Sequence, residues 1–324
     1  MIETSFAGLE LRNPVIAASS GQTDSTDKII ALEKAGISAV VLKSLFEEQL
    51  DAQSEQLLNG SDYPEARDFL QNTVRAHEIE KYLTLVKEAR RAVAVPVIAS
   101  INCYDSGEWV KFASELENAG ASALELNIQK IDTSAEYTPG ATEQLHVEIL
   151  QQIKKVVHLP VIVKISRNLS NLVSVIDQLK SAGAAAVVLF NRPWQPDIDI
   201  HTLRMVAADP FTSATDLSDT LRWIGIVSGS VNLPIAASTG VHKPEDLIKA
   251  ILVGASAVEL CTTLYRNGNK IIGEMVNTLT RWLEKQNFAS VAETRGQLNY
   301  RRIADPAGYE RLQFIRQTRE ICKS

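Results

Sequence analysis

With 324 residues, 45% of them hydrophobic, the chain can bury a full core as one large α/β domain or two ordinary ones. Its net charge of −6 argues against a nucleic-acid partner, because binding a phosphate backbone needs a basic face. No run of about 20 apolar residues is present to cross a membrane, and MIETSFAGLE lacks the basic and apolar regions of a signal peptide. A cytoplasmic protein is expected. Cys103, Cys261 and Cys322 form no CxxC pair, so neither a disulfide framework, an iron–sulfur cluster nor a structural zinc is indicated.

The chain opens on a short hairpin, Ile2 to Phe6 and Leu9 to Leu11 about Ala7-Gly8, placed to plug one end of the domain. Two kinds of strand opening then alternate. One puts proline before an apolar run, at Pro14, Pro96, Pro160 and Pro234; the other comes after a helix-stopping glycine, at Gly36, Gly120, Gly183 and Gly254. They interleave strictly and give eight short strands. Between them, Ser106 to Ala119, Glu143 to Val156, Ser170 to Ala182 and Pro244 to Val253 carry helical periodicity. Strands this uniformly apolar are buried on both faces. Eight alternating units predict a closed (β/α)8 TIM barrel, with insertions after strands 2 and 6 at Phe46 to Arg75 and Arg192 to Asp216. Both insertions lie just past strand C-termini, where barrels keep their sites, and read as lids or substrate loops. A long helix at about Lys270 to Gln286 precedes a polar tail, Asn287 to Ser324, expected outside the barrel. No linker appears, and residues 1–324 read as a single domain.

Residues at strand C-terminal tips converge in such a barrel. Here they are Ser19 and Ser20, Lys43 and Ser44, Asn102, Asn127, Lys164 and Ser166, Asn191, Ser238 with Thr239, and Cys261 with Thr262. Lysines emerging from apolar strands are costly without partners, so two of them among three amides point to a ligand. The turns Ser238-Thr239-Gly240 and Cys261-Thr262-Thr263 close adjacent strands and can aim several backbone N–H groups at a phosphate. A flavin mononucleotide fits the set, with Lys164 stabilising negative charge at the N1/C2 oxygen edge and Lys43 and the amides on the polar rim. A sugar phosphate also fits, Lys43 or Lys164 then being a Schiff-base lysine of an aldolase type.

The motifs FAGLELRNPVIAAS, VVLKS, ALELNI, PVIVKIS, VVLFN and the pair AASTGV and GASAVELCTTLYRNG, in that order along nearly the whole chain, resemble the dihydroorotate dehydrogenase family of FMN barrels. SLFEEQ, LFNRPWQPDID, Leu221 to Trp223 and DPAGYER are similar to its dihydroorotate dehydrogenase-like branch. The resemblance implies oxidation of a dihydropyrimidine by hydride transfer to flavin N5, and a homodimer. It implies flavin contacts from Ala18, Ser19, Lys43, Asn127 and Lys164, to which the strand-tip amides Asn102 and Asn191 are added by position, and a phosphate held at Ser238, Thr239, Gly240, Cys261 and Thr262. Thr239 and Cys261 stand where the family usually has glycines, but those positions contribute backbone N–H groups.

The family places a cysteine or serine base three residues beyond Asn127, in an Asn-x-Ser-Cys-Pro-Asn motif. This chain reads Asn127-Ile128-Gln129-Lys130-Ile131-Asp132, which puts Lys130 at the base position and Asp132 where an orotate-binding amide is usual. Lysine acts as a base only if desolvation or a neighbouring cation lowers its pKa; otherwise it anchors an anion or stays solvated. Asn127 and Asn191 remain as pyrimidine contacts, with Arg192 an added cation beside them. Three readings therefore stand: a dihydropyrimidine-oxidising flavoenzyme, a flavin-binding relative serving another substrate or acting as sensor or subunit, and a flavin-free sugar-phosphate lyase or isomerase. The absence of a cysteine cluster means that any NAD-linked route needs a partner subunit. No metal is expected: Asp197, Asp199 and His201 read as the polar side of a lid hairpin, and Cys103 as a partly buried thiol.

Overall fold

The structure, a computed structural model, describes residues 1–46, 64–103, 107–129, 131–193 and 195–310, with the backbone alone for 46, 64–72, 103 and 107–108. The predicted opening hairpin is there as β1 (Thr4–Phe6) and β2 (Leu9–Leu11). Next in the chain come β3 (Val15–Ala17), β4 (Ala39–Val41), β5 (Leu45–Phe46), β6 (Val97–Cys103), β7 (Ala123–Ile128), β8 (Val161–Ile165) and β9 (Ala186–Leu189). A separate antiparallel ribbon, β10 (Pro196–Asp199) and β11 (Arg204–Ala207), precedes β12 (Ile235–Ser238) and β13 (Ala257–Leu260). Parallel pairing runs β4, β3, β13, β12, β9, β8, β7, β6, and β4 pairs back with β6, which closes a ring of eight. The two-residue β5 adds alongside β6.

Helices wrap the ring: α1 (Thr26–Lys34), α2 (Pro64–Ala92), α3 (Gly107–Asn118), α4 (Ala141–Lys154), α5 (Leu172–Ser181), α6 (Asp216–Ser230) and α7 (Pro244–Val253). The short helix α8 (Thr262–Asn267) replaces the simple turn expected there, and α9 (Lys270–Lys285), α10 (Val291–Thr294) and α11 (Ala307–Glu310) follow among the described residues. Helix α9 shows why its sequence folds so: Ile271, Ile272, Met275, Leu279 and Leu283 form one buried stripe at helical spacing. Gly36, Gly120, Gly183 and Gly254 all sit just past helix ends with φ between 93 and 123°, the left-handed cap that lets each helix stop and the next strand begin.

Alternation along the strands divides the core in two. One set, including Val40, Val97, Leu124 and Val163, packs beneath the helices. The other, including Ile16, Ala39, Ile98, Ala123, Ile162, Ala186, Ala236 and Ala257, fills the barrel and meets Phe6, Ala7 and Leu11 of the hairpin. Five alanines leave the bottom of the barrel narrow enough for Phe6 to stopper it. The described part of the tail runs outside the barrel as expected: Gly296 N–H donates to Ile251 O, Leu298 N–H to Leu252 O and Tyr300 N–H to Gly225 O.

Candidate active site

Two residues further along each inward-facing series, the barrel interior changes character. Ile98 gives way to Ser100, Ala123 to Glu125, Ile162 to Lys164 and Ala257 to Glu259, all buried. The polar layer lies just above the apolar one because both obey the same two-residue period. At its centre the Lys164 ammonium lies 2.7 Å from Glu259 Oε2 and 3.4 Å from Glu125 Oε1. Burial on its own would lower the lysine pKa, but the two carboxylates outweigh it and the value is raised. Glu125 is pushed well above the ordinary carboxylate range, by burial first and by Glu259 second, with Lys164 only partly opposing. The cluster therefore favours a proton on Glu125 and a charge on Lys164.

Serine hydroxyls extend this layer to the barrel mouth. Ser19 Oγ and Ser44 Oγ are 2.9 Å apart, Ser44 Oγ and Ser100 Oγ 2.7 Å, and Ser100 Oγ donates to Glu125 Oε1 at 3.5 Å. Tyr82 OH fixes Ser100 from behind, donating to its carbonyl at 3.1 Å and accepting from its N–H at 2.9 Å. Burial drives the Tyr82 phenol pKa upward, so it stays protonated.

Above the layer a cavity of about 130 Å3 opens, lined among others by Ala18, Ser19, Lys164, Asn191, Arg192 and Glu259. The expected phosphate turns Ser238-Thr239-Gly240 and Cys261-Thr262 form its far wall. Among the described residues the N–H groups of Thr239, Gly240 and Thr262 have no acceptor. Thr239 holds a left-handed backbone, φ 77°, unusual for a β-branched residue. Its hydroxyl donates to Phe190 O at 2.9 Å and its carbonyl accepts from Thr220 Oγ1 at 3.1 Å, which secures the turn. Arg192 leans over the same wall, with Nη1 3.6 Å from Asp216 Oδ2 and Nη2 donating to Asp209 O at 3.3 Å. Its Nε is buried without a partner among the described residues, as is Asn127 Oδ1. Burial raises the Cys261 thiol pKa, so Cys261 contributes a neutral side chain.

Nine of the expected site residues thus meet at one cavity. Asn102 and Asn127 pair in register on β6 and β7, and Asn127 pairs with Lys164 on β8, beside the cavity and outside its lining. Lys43 does not join Lys164 round one pocket. It is solvent-exposed and lines a separate hollow of about 750 Å3 with Asp24, Tyr82 and Glu88. Alternation along β4, which turns Ala39 and Val41 into the barrel, would turn Lys43 inward too, but β4 ends at Val41; beyond it the period breaks and Ser44 takes the inward place, bonded to Ser19 and Ser100. Asp132 is also exposed, its Oδ1 accepting from Ser134 N–H at 2.9 Å, and takes no part in the cavity. Lys130 and the Cys103 side chain lie outside the described residues. Asp199 accepts from His201 N–H, Thr202 N–H and Thr202 Oγ1, the turn-forming role expected of a hairpin. Buried His146 bonds back along its own helix to Thr142 O at 2.7 Å, its pKa lowered by burial.

Glu125, Glu259, Ser100, Tyr82 and Thr212 are the participants that sequence reasoning missed. A signal existed for the glutamates: each stands at the same phase of an otherwise apolar strand, in ALEL and AVEL, and a charge there needs a partner. Thr212 had no such mark; it joins because its N–H donates to Thr262 Oγ1 at 3.1 Å and its hydroxyl meets His242 Nε2 at 2.9 Å.

The sequence profile described as dihydroorotate dehydrogenase matches residues 1–283. The dihydroorotate dehydrogenase B (NAD(+)), catalytic subunit, of Thermoplasma volcanium is 28% identical over 304 residues, covering 91% of this chain and 97% of that protein. The proteins of the same description from Shouchella clausii and Methanocaldococcus jannaschii are 26% identical over 311 residues and 27% over 306. These alignments cover 91% and 89% of this chain, and 97% and 95% of those proteins.

Proposed function

Because the chain belongs to the dihydroorotate dehydrogenase family, we propose that it is an FMN-dependent oxidoreductase acting on the CH–CH bond of a dihydropyrimidine such as dihydroorotate. The observation that carries the reading is the cavity itself, where a buried lysine and two backbone turns with free N–H groups face one space. The residues fit the cofactor at both ends. Thr239, Gly240 and Thr262 offer N–H donors, and Arg192 an unpaired Nε–H, to a phosphate. Lys164 and the unpartnered Asn127 Oδ1 suit the polar edge of a ring.

When bound, the flavin supplies the hydride acceptor, at N5. Lys164 keeps positive charge at the edge where negative charge develops. Asn127 and Asn191 orient the substrate ring; Asn191 Nδ2 already donates to Gln129 Oε1 at 3.4 Å, which ties the two loops together. Lys130 removes the substrate proton. Mixing the protein anaerobically with dihydroorotate tests the proposal: the flavin absorbance is expected to bleach, and no bleaching counts against dihydroorotate as substrate. Lys130→Ala is expected to slow that bleaching at least about a hundredfold, the usual scale for a general base; an unchanged rate removes Lys130 from the role.

Homodimerisation is a further part of the proposal, supported by the β10–β11 ribbon. Ile198 faces Met205 in register, and Ile200 and Leu203 are exposed in the turn that joins the two strands. Ile198, Leu203 and Met205 are 66%, 86% and 69% exposed, an apolar face suited to a self-complementary contact. Ile198→Asp combined with Met205→Asp is expected to halve the mass measured by light scattering; an unaltered dimer shows that the contact lies elsewhere. No helix among the described residues is long and apolar enough to cross a membrane. A cytoplasmic location completes the proposal, and cell fractionation tests it.

A further inference from the structure

Glu259 stands out in the polar layer. It is 2% exposed and yet lines the cavity, it holds Lys164 at 2.7 Å through Oε2, and its Oε1 has no partner among the described residues. Glu125 flanks Lys164 from the other side at 3.4 Å but does not line the cavity. The two carboxyl groups are thus unlike. One faces the ligand space and makes the short, charge-assisted bond. The other lies deeper, tied to Ser100, and tends to keep a proton.

We propose that Glu259 is a positioning residue that holds the Lys164 ammonium at the cavity and tempers its charge there, making the bound flavin harder to reduce than an unpaired lysine would make it. The inference rests on the flavin reading of the cavity. A lone ammonium at the ring edge favours the negatively charged, two-electron-reduced form. A carboxylate within hydrogen-bonding distance of the ammonium, and open to the same cavity, offsets that preference. Glu259 Oε1 in addition presents an acceptor to any N–H or O–H of the cofactor that comes within reach. Glu125 makes no comparable contribution, because a protonated carboxyl carries no charge.

The contrast between the two glutamates supplies a test that a purely structural role does not pass. Wild type, Glu259→Gln and Glu125→Gln, each loaded with FMN, are equilibrated anaerobically against a redox dye at pH 7, and the ratio of reduced to oxidised flavin is read from the spectrum. Glu259→Gln is expected to raise that ratio about tenfold at fixed poise, equivalent to about 30 mV for a two-electron couple. Glu125→Gln, which exchanges one neutral group for another, is expected to change it less than threefold. An unchanged ratio in Glu259→Gln overturns the inference, and so does an equal rise in both variants. If Glu259→Gln does not fold, Glu259→Asp carries the test: its carboxylate stands further from Lys164, so the ratio must rise, and a ratio that stays level or falls overturns the inference. A wild-type protein that binds no FMN overturns the flavin reading itself; one that binds FMN but fails these comparisons overturns the role of Glu259 alone.

Discussion

Lys164→Met is expected to destabilise the protein by about 3–5 kcal/mol at neutral pH, the scale measured when one member of a buried ion pair is removed. The substitution fills the same space but leaves Glu125 and Glu259 facing each other in the barrel without their cation. It also strips the donor from Glu259 Oε2 and leaves Glu125 Oε1 only the Ser100 hydroxyl, beside the Oε2 of Glu125 and Oε1 of Glu259 that already have no partner among the described residues. The loss should depend on pH. In the wild type, Glu125 has a folded-state pKa above its unfolded value, so the stability from its proton is fully present in acid and fades as pH rises through the raised value. Lys164 is also raised, so its contribution is fully present below the ordinary lysine pKa and is lost as pH rises through the folded one. Both make the wild type labile in alkali. Without the ammonium, negative charge in the cluster is uncompensated and is more easily neutralised in acid, so urea titrations should show the gap between variant and wild type narrowing from pH 8 to pH 5. A gap of equal size at both pH values would show that the cluster is held by packing and not by charge.

Gly240→Ala should be the most damaging single methyl group in the proposed phosphate wall. Gly240 has φ 92°, and a Cβ built on it meets Leu217 N at 2.3 Å and Leu217 Cα at 2.6 Å, both backbone atoms at the start of α6. The left-handed conformation costs a non-glycine residue about 1–2 kcal/mol, and forcing an extra carbon into a packed site adds about 1–3 kcal/mol. Helix and turn must part, which also displaces the Thr239 and Gly240 N–H groups. FMN affinity is expected to fall at least tenfold while riboflavin affinity, which does not use the phosphate wall, changes little; fluorescence quenching on titration into the apoprotein measures both. Equal losses for the two ligands would mean that the turn does not hold a phosphate.

The barrel was legible because its signals are local and repeated. Proline before one kind of strand, glycine before the other and amphipathic stretches between them each report a physical constraint of a few residues. The turn at Ser238-Thr239-Gly240 was legible for the same reason, since it closes a strand whose end must expose backbone. Side-chain direction was harder to read. Lys43 and Ser44 are adjacent, and only the serine chain through Ser19 and Ser100 decides which of them turns inward. Glu125 and Glu259 were passed over because each strand reads as apolar by itself; their meaning lies in pairing with Lys164, 39 and 95 residues away along the chain. Thr212 and the Arg192 contacts come from an insertion without periodicity, where sequence sets composition but not the path of the chain.

The most direct measurement is the visible spectrum and phosphate content of what the purified, FMN-saturated protein releases on denaturation. A flavin held across the Lys164 layer and the Gly240 and Thr262 turns predicts a yellow protein that releases one FMN, with one phosphate, per chain. A colourless protein that takes up no added FMN would contradict it.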